Sequence, residues 1–353
     1  MNERLISKKK PFYPISIELS KYLKDFNRWI NGSIFYEDLL RFSGSVSVLD
    51  KDDNDTLWVR VFYNDNEQKE LDFNLKKIYT TLHSDGNDSS IPYLNVDSID
   101  YCTFGNSKPF RIKIRNVLND NFTYFYIKRT DSSRIYGLEL EHMLSPYNLN
   151  FLVNNNSLIE EHISGIPGDI FIKENLKSCS ELEKTQIAKE YVKFNERTMV
   201  RLLGDMRAYN YVVIPIHDFD QVIYKIRAID FDQQCFEGSF SVYRPQFFKE
   251  NFPIMEIVRE KLNRSSIVQY KIEERSIIAK RLISFNKRIN HLISIMKTQK
   301  LSLPENLEKL KIEIFNYTKD SNFKKSKSMG DLMEATFNFL VSNYQNVSLS
   351  KLF

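Results

Sequence analysis

Two short acidic motifs hold the residues whose types and spacing best suit a defined chemistry. The first, Gly204–Asn210, places Asp205 and Asn210 five residues apart. The second lies twenty residues further on, where an apolar run ends in Asp230 and Asp232. An aspartate can take the proton of an attacking hydroxyl, and amide and carboxylate oxygens are the hard donors that Mg²⁺ accepts. The order of these groups is the one that phosphoryl transfer from ATP uses.

Each of these four residues has a candidate role and a plainer alternative. We expect Asp205 to be the catalytic aspartate, the alternative being a surface aspartate in a turn. Asn210 is a candidate metal ligand, although asparagine also caps turns. Asp230 ends a predicted buried strand, where a carboxylate is costly unless it is paired or bound to metal. Asp232 is a further candidate metal ligand, or else a solvated side chain.

The elements that must position these motifs follow from periodicity. Before them we predict three strands, a helix and two strands: Ser98–Phe104, Phe110–Ile114, Phe122–Lys128, Ile135–Leu144, Leu149–Val153 and Ser157–His162. After Pro167 the pattern becomes helical. A helix over Ser180–Leu203 leads into the first motif, and a hairpin of Tyr211–Ile216 and Val222–Ile229 joins the two motifs. Further helices are predicted over residues 253–262, 266–298, 304–317 and 329–344.

The first ninety residues read as a separate α+β unit. A helix over Ile15–Asn31 precedes strands at Ser45–Leu49 and Thr56–Tyr63. The polar run Ser84–Ser90 reads as a linker. We therefore predict three parts: an accessory domain of residues 1–90, a β-rich lobe of residues 91–163 and a helical lobe of residues 164–353.

This arrangement resembles the protein-kinase-like superfamily. The element order, together with Gly204-Asp205, Asn210 and Ile229-Asp230-Phe231, is similar to HipA-type bacterial kinases and to phosphatidylinositol 3- and 4-kinases. The resemblance covers about residues 96–300 and rests on the order and spacing of short motifs. It implies an α+β fold with two lobes, preceded by the N-terminal unit, and it implies ATP and Mg²⁺ as cofactors.

The resemblance also implies a lysine that contacts the α- and β-phosphates of ATP. Lys128, at the end of a predicted strand, matches it, and its partner should be a glutamate on the next helix. Glu139 and Glu141 are two residues apart and cannot share a helix face. Glu139 is preferred because Met143, four residues later, would lie beneath it toward the core, and Glu141 stays the alternative.

Two loops are implied nucleotide contacts. Gly105, Asn106 and Ser107 fall where backbone N–H groups would cover the phosphates, although an ordinary hairpin turn fits equally well. Glu161 and Ile163 fall in the segment that would hold adenine through main-chain groups.

The sequence departs from the family at the first motif. Leu203-Gly204 stands where a His-Arg pair precedes the catalytic aspartate in many kinases, and Arg207 stands where the nearer relatives have histidine. Arg207 is a catalytic candidate that could stabilise the charge of the transferring phosphoryl group, or it could pair with an acidic neighbour.

Composition narrows the class of protein. Three scattered cysteines favour a reducing, cytoplasmic compartment, and neither a signal peptide nor an apolar run long enough to span a bilayer is evident. Residues 251–353 hold 18 Lys+Arg against 10 Asp+Glu, but they show no nucleic-acid-reading motif, so nucleic acid is an unlikely partner.

These observations favour an ATP- and Mg²⁺-dependent kinase that phosphorylates a Ser/Thr hydroxyl, with a protein as the expected substrate. A nucleotide-binding pseudokinase that acts as a regulatory module and a lipid or small-molecule kinase are the alternatives. The oligomeric state and the role of the N-terminal unit stay open.

Overall fold

The computed structural model describes residues 10–32, 34–83, 88–104, 107–219 and 221–345. They form an α+β fold with a seven-stranded antiparallel sheet and a small three-stranded sheet, which confirms the predicted class. The chain divides into two compact units. We call the unit of Pro14–Asp131 and Leu149–His162 the sheet unit. The helical unit holds the described residues of Met1–Tyr13, Ser132–Asn148 and Ile163–Phe353.

The sheet unit is built on all seven strands of the larger sheet. They are β1 (Gly44–Leu49), β2 (Asp55–Phe62), β3 (Leu94–Cys102), β4 (Phe110–Asn116), β5 (Phe122–Arg129), β6 (Phe151–Asn154) and β7 (Ser157–Glu161). Their spatial order is β1-β2-β3-β4-β5-β7-β6. Three helices belong to the same unit: α1 (Ile17–Asp25), α2 (Tyr36–Leu39) and α3 (Asp65–His83).

The core of the sheet unit lies on one face of the sheet. Phe110, Ile112 and Ile114 alternate with more exposed residues along β4, as a strand with one covered face requires. Helix α3 packs on β3 and β4 and buries its apolar side chains there: Leu71, Leu75, Ile78 and Leu82. These four recur at helical spacing, so the sequence held a signal for a helix that was not predicted.

The units differ from the predicted domains. Strands β1 and β2 were assigned to a separate N-terminal domain, yet β2 pairs with β3 and extends the same sheet. The predicted boundary near residue 90 therefore falls inside one compact unit. The helix predicted within the β-rich lobe belongs to the helical unit. Most of the predicted linker, residues 84–87, lies outside the described residues.

The helical unit contains the second sheet and the remaining helices. The strands are β8 (Ile166–Pro167), β9 (Tyr211–Asp218) and β10 (Gln221–Ala228). The helices are α4 (Ser132–Leu144), α5 (Gly168–Ile170), α6 (Glu181–Val200), α7 (Phe252–Lys261), α8 (Arg264–Ser284), α9 (Asn286–Thr298), α10 (Pro304–Thr318) and α11 (Met329–Asn343). The helix predicted over residues 266–298 is thus two helices that meet at Phe285.

Helix α6 is the central element of the helical unit, with α7, α8 and β10 packed around it. Its start is fixed by a capping box, in which Ser180 and Glu183 each accept a backbone N–H of the other. Its last turn is buried and delivers the chain into the first acidic motif. Among the residues that the structure describes, no helix is both long and apolar enough to cross a membrane.

Candidate functional site

The open end of the β9–β10 hairpin brings the three main predicted residues together. The hairpin register ends with the first residue of β9 and the last of β10, so Asn210 and Ile229 face each other beyond it. The Ile229 N–H donates to the Asn210 carbonyl at 3.0 Å. The Asn210 side-chain Nδ2 donates to the Asp205 carbonyl at 2.7 Å. Asn210 therefore contacts both Asp205 and Ile229, the residue directly before Asp230.

The amide of Asn210 has a defined orientation. Its nitrogen is engaged by the Asp205 carbonyl, and the residue is 9% exposed. A cation can be bound only through the amide oxygen, because the nitrogen carries two hydrogens and is a donor. The hydrogen bond within the loop thus leaves the amide oxygen as the only side-chain atom of Asn210 that could bind a cation.

Asp205 is held in an uncommon backbone conformation. Its φ is 58°, in the left-handed region that aspartate tolerates better than most residues. Its N–H donates to the Val242 carbonyl at 3.1 Å, and its carbonyl accepts the N–H of Arg207 at 2.8 Å. The buried end of α6 precedes it and the folded segment around Val242 holds it, so the Asp205 carboxylate sits on a fixed loop.

Arg207 pairs with acidic neighbours, which is the second of its two predicted roles. Its Nε lies 3.0 Å from Asp205 Oδ1, and its Nη1 lies 2.7 Å from Glu250 Oε1. The guanidinium also lies over the Phe248 ring, with Cζ 5.0 Å from the centroid. This geometry orients the Asp205 carboxylate, so Arg207 acts as a positioning residue.

Tyr209, which the sequence analysis does not single out, lies near charged residues of both motifs. It lies between Asp205 and Asn210 in the chain and is 51% exposed. Burial raises the pKa of its phenol, Arg207 opposes that rise, and Asp205, Glu250 and Asp230 add to it. Both motifs therefore act electrostatically on one phenol. The signal in the sequence was an aromatic residue inside the first motif.

Asp230 and Asp232 share one buried arginine. Arg134 Nη2 lies 2.6 Å from Asp230 Oδ1, and Arg134 Nε lies 2.6 Å from Asp232 Oδ1. The Asp232 N–H also donates to Asp230 Oδ1 at 3.1 Å. Asp230 is thus paired, although its side chain is 34% exposed and not buried. The solvent-facing alternative for Asp232 is wrong, because its carboxylate is only 18% exposed and is paired.

The two glutamates of α4 are bound within the helical unit. Arg288 of α9 reaches both oxygens of Glu139, at 2.8 and 2.7 Å. Glu141 forms a buried ion pair with Arg201, at the end of α6. Burial opposes ionisation of Glu141, but Arg201, together with Ser145 and Arg197, outweighs burial and holds the pKa of this carboxyl below its ordinary value. Both glutamates therefore have structural partners on other helices.

Lys128 has a partner that was not predicted. Its Nζ lies 2.6 Å from Glu160 Oε2, and both side chains are buried in the sheet unit. The two residues lie on the neighbouring strands β5 and β7, whose register pairs Lys128 with Leu158. The predicted partner, Glu139, is bound to Arg288 as described above. A glutamate on a strand thus replaces the expected glutamate on a helix.

The loops assigned to nucleotide binding are only partly described. Gly105 and Asn106 lie outside the described residues, whereas Ser107 is half-buried in the loop before β4. Glu161 ends β7 and donates its N–H to the Asn150 carbonyl at 3.1 Å. Ile163 is buried in the helical unit.

The oxygen atoms available as ligands at this site suit a cation that binds together with phosphate groups. Across the described residues, no group of three or more His, Cys, Asp and Glu side chains is placed to hold a metal ion by itself. Asn210 instead offers an amide oxygen, and the second motif, which begins beside it at Ile229, offers the carboxylates of Asp230 and Asp232. Mg²⁺ is commonly held by one or two carboxylates together with substrate phosphates and water. The residues therefore fit Mg²⁺ bound jointly with a phosphate ligand.

No protein-family model matches the chain, and a comparison with curated proteins finds no match. The functional argument therefore rests on the geometry of the site.

Proposed function

We propose that the protein is an ATP- and Mg²⁺-dependent phosphotransferase. One observation carries the proposal: at the open end of the hairpin, hydrogen bonds link Asn210 to Asp205 and to Ile229, the residue that precedes Asp230. Their order in the chain and their adjacency are those of a catalytic aspartate followed by two cation ligands. A surface aspartate in an unconstrained turn would not explain why the backbone N–H and carbonyl of Asp205 are both hydrogen-bonded.

In this proposal the side chains have distinct tasks. Asp205 accepts a hydrogen bond from the acceptor hydroxyl and takes its proton as transfer proceeds. Arg207 and the backbone bond to Val242 keep that carboxylate in place. The Asn210 oxygen and Asp230 hold Mg²⁺, which when bound neutralises charge on the phosphates. The sequence resemblance assigns the contact with the ATP phosphates to Lys128. The ammonium of Lys128 forms an ion pair with Glu160.

The segment after Asp232 supports a preformed site. Its middle is fixed to α10, because the Phe240 N–H donates to Glu313 Oε2 at 2.7 Å and Asn306 Nδ2 donates to the Phe236 carbonyl at 2.9 Å. Val242, which accepts the N–H of Asp205, belongs to the same segment. The loop that carries Asp205 is therefore held by a segment that is itself fixed to α10.

The acceptor is proposed from the resemblance alone. HipA-type kinases act on protein hydroxyls, so a Ser/Thr side chain of a cytoplasmic protein is the proposed substrate; this is an argument by analogy.

The direct test is transfer of label from γ-labelled ATP in the presence of Mg²⁺. Wild type should label itself or a candidate protein acceptor, and Asp205→Ala should reduce the rate at least about a hundredfold, as loss of a catalytic acid–base group does. The matched control is Asp218→Ala, which removes an exposed carboxylate at the other end of the same hairpin and should leave the rate unchanged. Equal labelling by wild type and Asp205→Ala would refute the assignment.

A second function, a nucleotide-binding module without turnover, is favoured by one feature. Arg207 and Arg134 each hold a carboxylate that catalysis needs. A site locked in this way would bind ATP and Mg²⁺ without transferring phosphate. A thermal shift with ATP plus Mg²⁺, combined with no label transfer to any acceptor, would establish it.

A further inference from the structure

The face of the larger sheet that lies opposite to its core carries basic and aromatic side chains. Along β4 the core residues alternate with three outward-facing cations: Arg111, Lys113 and Arg115. Residues that pair directly across an antiparallel ladder lie on the same face. The register of β4 with β5 therefore places two aromatic residues on this face, Phe122 opposite Arg115 and Tyr124 opposite Lys113.

Cations lie against the aromatic rings of this face. Arg111 Cζ lies 4.5 Å from the centroid of the Trp58 ring of β2 and 5.3 Å from that of Tyr124. Lys113 Nζ lies 4.2 Å from the centroid of the Phe122 ring, so these contacts have cation–π geometry. Rings and cations are thus interleaved across four neighbouring strands, β2 to β5, which span about 14 Å at about 4.8 Å per strand. We call these six residues the basic–aromatic face: Trp58, Arg111, Lys113, Arg115, Phe122 and Tyr124.

The aromatic residues of this face are accessible to solvent. Phe122 is 55% exposed, and Trp58 and Tyr124 are half-buried. Phe62, which alternation places on the same side of β2 as Trp58, is 48% exposed. The solvated face of an antiparallel sheet ordinarily carries polar residues, whereas contiguous exposed apolar area marks an interaction site. Solvation alone therefore does not account for this row of rings.

The carboxylates of the face orient its cations and do not outnumber them. Asp120 in the turn after β4 pairs with Arg115 at 3.0 Å. An arginine has five N–H donors, so one that binds a carboxylate keeps donors for a second anion. The other two carboxylates are each shared by two cations: Asp100 by Arg60 and Arg111 at 3.1 and 2.9 Å, and Asp97 by Arg115 and Lys113 at 3.0 and 3.7 Å.

We propose that the basic–aromatic face binds a single strand of nucleic acid. Every base has a π-face that can stack on an aromatic ring, and the cations between the rings can bind the phosphates. A duplex fits less well, because its bases are stacked on one another. An acidic polypeptide would pair with the cations but would leave the rings without a flat partner. The proposal does not depend on phosphotransferase activity.

The surface lies away from the segment considered for nucleic acid in the sequence. The expectation that nucleic acid is an unlikely partner rests on residues 251–353, which lie in the helical unit, whereas the basic–aromatic face lies in the sheet unit. Its residues come from three strands that are separate in the sequence, so the face becomes visible only when the strand register is known.

The test measures binding of labelled single-stranded oligouridine and oligothymidine of about 12 nucleotides to the full-length protein by fluorescence anisotropy. Wild type should bind at least one of them, and its affinity should fall steeply between about 50 and 200 mM salt. A duplex of the same length should bind at least about tenfold more weakly.

Substitutions of Phe122 separate stacking from general apolar contact. Phe122→Leu keeps an apolar side chain but removes the ring, so the affinity should fall about fivefold to a hundredfold. Phe122→Tyr keeps the ring and should bind as wild type does. Lys113→Gln should weaken binding and lower the salt dependence by about one released ion. The matched controls are Phe73→Leu and Lys77→Gln, exposed positions of α3 on the opposite side of the sheet, which should leave the affinity unchanged.

Four results would overturn the proposal. They are no binding of either single strand by wild type, a Phe122→Leu variant with the affinity of wild type, a duplex bound as tightly as the single strands, and polyglutamate that displaces the strand as effectively as unlabelled oligonucleotide does. The last result would assign the face to an acidic protein. Phe122 is more than half exposed, so its substitution should leave the thermal unfolding midpoint unchanged, which checks that the variants are folded.

Discussion

Two replacements of Asn210 can show whether its side chain binds the cation or only caps the turn. Its side-chain nitrogen donates to the Asp205 carbonyl at 2.7 Å, whereas its backbone groups bond to Arg207 and Ile229 at 2.9 and 3.0 Å. The backbone bonds should survive a change of side chain. Asn210→Ala removes both the loop hydrogen bond and the amide oxygen. Asn210→Asp removes only the donor and keeps an oxygen ligand.

The expected magnitudes follow from these contacts. Either change removes one of the two donors to the Asp205 carbonyl, which keeps the Arg207 N–H, and should cost about 0.5–1.5 kcal/mol of unfolding free energy. Only Asn210→Ala loses the ligand, so its affinity for Mn²⁺ with an ATP analogue should fall about tenfold or more, which corresponds to about 1.4 kcal/mol. Asn210→Asp should keep the affinity of wild type or exceed it, because it adds negative charge.

The assay pairs urea unfolding with Mn²⁺ titration. Unfolding of the helical unit should be followed by circular dichroism, because both tryptophans, Trp29 and Trp58, belong to the sheet unit and their fluorescence reports on it. If Asn210→Asp loses as much Mn²⁺ affinity as Asn210→Ala, the amide oxygen is not a ligand. If Asn210→Ala loses stability but no affinity, Asn210 only caps the turn. Unchanged stability in both variants would refute the hydrogen bond to Asp205.

Three further predictions concern the elements that support the site. Lys128→Met removes the ammonium that lies 2.6 Å from the buried carboxylate of Glu160, so the free energy of unfolding, followed by fluorescence, should fall by about 3 kcal/mol. An unchanged midpoint of the unfolding transition would contradict the ion pair. Glu141→Gln should cost about 3–5 kcal/mol of unfolding free energy by leaving the buried guanidinium of Arg201 without its carboxylate partner. Arg201 holds the pKa of Glu141 below its ordinary 4.5, so the ion pair contributes fully to the free energy of unfolding above about pH 4.5. This contribution is lost as the pH falls below that value. Unfolding of the Glu141→Gln variant should lack this part of the pH dependence. Burial raises the pKa of the Cys235 thiol to about 12, so iodoacetamide should modify it only after unfolding, and rapid labelling of the native protein would show that it is accessible.

Local patterns predicted most elements around the site. The hairpin followed from two apolar runs around a polar turn, and it forms over Tyr211–Asp218 and Gln221–Ala228. The adjacency of Asn210 and Asp230 followed from that hairpin, because the two residues flank its open end. Helix α10 begins at Pro304, where proline suits the first turn. These features depend on neighbours in the sequence and are visible without the fold.

The partners of the charged residues could not be predicted in this way. Arg134 and Asp230 are 96 residues apart in the chain, and Lys128 and Glu160 are 32 apart. Their pairing depends on helix packing and on strand order, which short motifs do not encode. The break between α8 and α9 has a similar origin, because neither glycine nor proline marks Phe285. The sequence thus indicated the candidate ligands but not the arginines that pair with their carboxylates.

A crystal structure with Mn²⁺ and a non-hydrolysable ATP analogue tests the central claim most directly. The anomalous signal of the metal should lie within about 2.2 Å of the Asn210 side-chain oxygen and of an Asp230 oxygen, with phosphate oxygens completing its coordination. The Asp205 carboxylate should stand close to the terminal phosphate. An anomalous peak elsewhere, or an analogue bound away from these three residues, would contradict the phosphotransferase account.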